Sequence, residues 1–220
     1  GAVTKYPKLQ LEYCLALASQ HRHADVENTL VRMLESDRTK PSPGSKLDSI
    51  HAIRAVNLLF QDRLREAKTL TEEALSGDIQ PGTIIYDTLQ GVLGLTLISE
   101  GQIGEQTLQV LLEARKGAIL SGSRVGAVYA ACWEGHIEMT QGRLQAAIVK
   151  LRSALGLARE AVSGCSTATA IASVFLAAAN YEKNELAEAE RLIKGHLVFL
   201  TDCGSPDVLL VGYITLARVM

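Results

Sequence analysis

QGRLQAAIVKLRSAL, residues 141–155, begins as a turn and continues as a helix. Gly142 supplies the positive φ that a tight break asks for. After it Leu144, Ala147, Ile148, Leu151, Ala154 and Leu155 recur three or four places apart, which is helical spacing. The same layout returns in QDRLREAKTLTEEAL (61–75), EGQIGEQTLQVLLEA (100–114) and KNELAEAERLIKGHL (183–197). A small residue stands seven places before each turn: Ala55 before Asp62, Gly94 before Gly101, Gly135 before Gly142, Ala177 before Asn184. Five places after the turn come Ala67, Gln106, Ala147 and Ala189, and seven further on Ala74, Glu113, Ala154 and His196. The turns are 39, 41 and 42 residues apart. Small residues on both sides of a turn mark where two antiparallel helices cross closely, because a large side chain there would force the backbones apart. Gln106 and Glu113 break the pattern in the second unit, so packing there is expected to differ.

Working outward, the periodicity predicts eleven helices, roughly 7–20, 24–36, 46–60, 63–76, 83–100, 103–119, 123–140, 143–162, 166–182, 185–201 and 206–220. Pro41-Ser42-Pro43-Gly44 is a loop, since two prolines in three residues cannot sit inside a helix. Pro81-Gly82 breaks between helices, with Thr83 placed to cap the next one. Pro206 takes the first helical position of the last helix. Connections of two or three residues force neighbours to run antiparallel. The expected fold is all-α: one superhelical array of antiparallel hairpins over 1–220, with hairpins near 7–36, 46–76, 83–119, 123–162 and 166–201 and an unpaired helix at 206–220.

Composition agrees with this. Ala (27 residues) and Leu (32) dominate 220 residues, with 5 Pro and 5% aromatics, a mix that suits close helix packing and not a β-sandwich or barrel. A net charge of −2 leaves no basic footprint for nucleic acid. No apolar run is long enough for a membrane span. Cys14, Cys132, Cys165 and Cys203 show no C-x-x-C spacing and read as scattered buried thiols, which points to a reducing cytoplasm. The chain begins at Gly1 and reaches Met220 inside a periodic segment, so it reads as a piece of a longer protein.

The hairpin with its small residues resembles the tetratricopeptide repeat, although the period exceeds the usual ~34 residues. The segment NELAEAERLIKGHLVFLTDCGSPDVLLVGYITLARVM (184–220) narrows the likeness. Asn184, Leu186, Glu188, Ala189, Glu190, Leu192, Leu197, Gly204, Pro206, Asp207, Gly212, Tyr213, Leu216, Ala217 and Arg218 carry it. They resemble the helical-repeat effector domain of MalT-like, ATP-dependent LuxR-family transcription activators. That resemblance implies an N-terminal ATPase and a C-terminal helix-turn-helix. This chain holds no G-x-x-x-x-G-K-[ST] and no basic recognition helix, so ATP and DNA would be handled by parts outside it.

Catalytic signatures are missing. None of H-E-x-x-H, G-x-S-x-G or a clustered carboxylate pair occurs. Cys132 and His136 share a helix face, but a metal asks for more ligands than two. No cofactor and no enzyme activity are expected. Binding is the better prospect, because stacked hairpins curve and their first helices line the concave wall. Six and three places before the small residue, and one, four and five after it, face that wall. In the third unit these are Tyr129, Cys132, His136, Met139 and Thr140. In the fourth they are Ile171, Val174, Ala178, Tyr181 and Glu182, and in the second Thr88, Gly91, Leu95, Ile98 and Ser99. Arg218 joins the wall if Ala217 is the small residue of the last unit. Tyr129, Cys132, His136, Tyr181 and Arg218 are the candidate effector contacts. Each has a plainer reading as packed aromatic, core thiol, satisfied polar group or salt-bridge partner. The expected role is a sensor that binds a small inducer or a regulatory protein and controls self-association of its parent. A tetratricopeptide adaptor for a partner protein is the alternative.

Overall fold

The computed structural model describes residues 7–39, 46–160 and 166–220, and among them all regular structure is helical. The eleven helices are α1 (Pro7–Ser19), α2 (His23–Thr39), α3 (Lys46–Phe60), α4 (Leu64–Leu75), α5 (Ile84–Ser99), α6 (Glu105–Ser121), α7 (Arg124–Thr140), α8 (Leu144–Arg159), α9 (Thr167–Glu182), α10 (Leu186–Cys203) and α11 (Pro206–Val219). The expected loop at 41–44 and Cys165 lie outside the described residues. Each helix packs on the next, and α1, α3, α5, α7, α9 and α11 also stack in sequence. This is the all-α array of antiparallel hairpins that the repeat spacing predicts.

The turns show why the breaks fall where they do. Asp62 (φ 57°), Gly101 (76°), Gly142 (78°) and Asn184 (65°) all take the left-handed conformation that closes a hairpin in so few residues. Thr83 caps α5, its hydroxyl accepting from the Tyr86 N–H at 3.3 Å. The crossings need their small residues. A Cβ on Gly94 would stand 2.6 Å from Leu111 Cδ2, and one on Gly135 would stand 2.7 Å from Leu151 Cγ. Ala55 and Ala177 are fully buried at the matching places.

The second unit differs, as Gln106 and Glu113 led one to expect. Extra residues follow Gly101, and α6 starts only after Gly104. The buried small positions therefore move one place on, to Thr107 and Ala114, leaving Gln106 and Glu113 exposed. Before this unit, His23 opens α2, and its Nδ1 lies 2.8 Å from Oδ1 of the buried Asn57.

The interior is mostly aliphatic, with one large cluster running from α3 to α11 and two smaller ones built on α1–α3 and on α3–α5. A charged knot ties α6, α7 and α8. Glu134, 1% exposed, accepts from Arg115 Nε at 2.6 Å and from Lys150 Nζ at 3.3 Å.

Candidate effector groove

The stacked first helices enclose a groove of about 580 Å3. Its wall comes from α5 and the N-terminal halves of α7 and α9, with Leu111, Ala114 and Ala118 of α6 between α5 and α7, α1 and α3 at one end, and Cys203 and Ser205, at the junction of α10 and α11, near the other. Small residues keep it open: a Cβ on Gly91 would meet nothing within 4 Å. Val92, Leu95, Val125 and Ile171 make much of the wall apolar. Asp87 and Arg124 are its charged lining residues.

Tyr129 crosses this wall toward the last helix. Its hydroxyl donates to the Asp207 carboxylate, and Ser205 Oγ lies 3.2 Å away. Burial pushes the Tyr129 phenol well above its ordinary range, and the nearby Asp207 charge adds to this. Burial also raises Asp207, against the hydrogen bonds that favour its ionised form. The contact joins α7 to the Ser205-Pro206-Asp207 helix start, across 78 residues of sequence.

The other sequence-predicted contacts lie elsewhere. Cys132 has no exposed surface: it sits behind the wall among core residues, where burial pushes its thiol pKa up. His136 lies seven residues beyond Tyr129, about 10 Å along the helix axis. Its ring packs edge-on to Trp133 at 5.1 Å and to Phe175 at 6.0 Å. Its Nδ1 is buried without a partner among the described residues, and burial lowers its pKa. Tyr181 and Arg218 meet each other instead of Tyr129. The guanidinium stands 5.7 Å over the Tyr181 ring and donates to Glu182 at 3.2 Å. Of the five, Tyr129 lines the groove, while Tyr181 and Arg218 form a separate pair toward the C-terminal ends of the first helices. Thr88, Gly91, Leu95 and Ile171, from the wider concave set, do line it.

Asp87 is one of the lining residues that periodicity passed over. It is 7% exposed in the first turn of α5 and packs on Gly117 of α6. The signal was there in two parts: an acid inside the apolar run IIYDTLQGVLGLTLIS and a glycine inside a helix. Among the described residues no three His, Cys, Asp or Glu side chains gather as a metal site. None of the described helices is long and apolar enough to cross a membrane.

The fold is similar to a solved structure from Podosopora anserina, a protein of nearly identical TPR-like repeats named for the kinesin light chain. The two share 12% identity, with a TM-score of 0.56 and 97% of each chain covered. That likeness bears on the fold: this chain is a tetratricopeptide-type helical-repeat array. No protein-family profile matches the chain, and no curated protein does.

Proposed function

We propose that this array, taken as one helical-repeat domain, is the effector-sensing module of a MalT-like, ATP-dependent LuxR-family transcription activator. It binds a small inducer in the groove, or a regulatory protein on its surface, and so biases the self-association of its parent in the cytoplasm. It binds and does not catalyse, and ATP and DNA are handled by other parts of the parent. The observation that carries the reading is the largely apolar groove of about 580 Å3 on the concave wall, a size suited to a small organic ligand. Its connection to the resembling segment supports it. Asp207, one of the residues that carry the likeness, is bonded to groove-lining Tyr129. An occupant that moves Tyr129 therefore reaches the last helix, which is how a ligand biases a two-state equilibrium.

A thermal-shift screen of metabolites tests this directly. An inducer present at a hundred times its dissociation constant adds roughly 2.7 kcal/mol of stability. The shift should vanish when the groove is narrowed by Gly91→Val. If no metabolite shifts the midpoint, the second reading moves ahead: an adaptor that docks a partner protein. The repeat fold supports that alternative, whereas among the described residues Arg124 is the one cation lining the groove, which is no basic clamp for a carboxylate terminus.

A further inference from the structure

Asp87 costs the fold twice. One carboxylate oxygen, Oδ1, lies so close to the backbone of Gly117 that a Cβ there would come within 1.8 Å of it. α6 therefore carries a glycine in its interior, where glycine is a poor helix former. The other oxygen, Oδ2, is buried with no hydrogen-bond partner among the described residues. A buried carboxylate oxygen without a partner is unfavourable, and burial raises the Asp87 pKa. No partner for this oxygen is found among the described residues, and the residue lines the groove beside apolar wall. What such a position lacks is a cationic hydrogen-bond donor.

We propose that the groove takes an apolar organic cation, its protonated amine paired with Asp87 and its hydrocarbon body lying along Gly91, Leu95 and Tyr129. This rests on the groove being the ligand site, and it adds the ligand's chemistry. The other charged lining residue, Arg124, is exposed and donates to the Leu157 carbonyl at 3.4 Å. It is the residue that an anionic ligand would need.

Titration calorimetry on the full chain decides the matter with hexylammonium, hexanol and hexanoate, three probes of one length that differ in the head group. The amine should bind about tenfold tighter than the alcohol, the size of a charge-assisted hydrogen bond. Asp87→Asn should abolish that advantage and leave hexanol binding unchanged. Gly91→Val should weaken amine and alcohol alike. Equal binding of amine and alcohol, an amine affinity untouched by Asp87→Asn, or tightest binding by hexanoate overturns the cation proposal. Each of these leaves the groove reading standing so long as Gly91→Val still weakens the probes. Binding by none of the three sinks both. The probe comparison on the unaltered protein discriminates between these outcomes even if Asp87→Asn folds poorly.

Discussion

Ionised Asp87 works against the fold at neutral pH. Its pKa in the folded protein is raised above the ordinary 3.8 by burial. The folded state thus holds the proton to higher pH than the unfolded chain does. Its contribution is favourable below 3.8 and is lost as pH rises from there through the folded value. Asp87→Asn should therefore unfold at a higher urea concentration than the parent at pH 7, and at the same concentration near pH 3. An equal or lower midpoint at pH 7 would show that the carboxylate has a partner. Glu134 is the opposite case, an acid with 1% of its side chain exposed and two cations at hand. Glu134→Ala should cost about 1–3 kcal/mol by urea unfolding. The cost stays moderate because Arg115 and Lys150, each with 32% of the side chain exposed, can turn to water. Asp87 left a trace in the sequence, as an acid in an apolar run, whereas the role of Glu134 was not legible there. Glu134's partners lie 19 and 16 residues away on other helices, and periodicity carries no information about such pairs.

Helix boundaries were legible because they rest on local chemistry. Thr83, Gly101, Gly142, Asn184 and Pro206 each meet a backbone demand that no contact across the fold can change. What failed was register at one place. Extra residues after Gly101 advance α6 by one position, so that Thr107 takes the place where the flanking units have Ala67 and Ala147. The crossings predict opposite outcomes for two glycines. Gly135→Val pushes its Cβ into the fully buried Leu151 and should cost about 1–3 kcal/mol. Gly156→Ala, in α8 with nothing within 4 Å of the new Cβ, should gain up to about 1 kcal/mol. Chemical denaturation of the pair checks both. Equal effects would mean that α7 and α8 do not cross at Gly135.

For the whole molecule, the sequence told which face of each first helix looks inward but not how far along the helices the space opens. Tyr129 and Ile171 were found that way, and so were His136 and Tyr181, which share the face but not the groove. Depth depends on how successive hairpins splay, and that is set by packing summed over the array. The array also holds its stability unevenly. The cluster around Val26, Leu30 and Ile50 is small and separate from the large one around Leu151, Phe175 and Ile193. In an array whose units touch only their neighbours, such an end opens first. Hydrogen exchange should therefore release the amides of α1 and α2 well before those of α7 to α9, and uniform exchange would contradict this.

The groove touches both regions. Leu15 and Ala16 of α1 line one end, and Tyr129 and Ile171 of the large cluster's helices line the other. A molecule seated there acts as a rivet between a loosely held end and a firmly held middle. Its arrival should be felt at Val26 and Leu30, which it does not touch, as slower exchange of their amides.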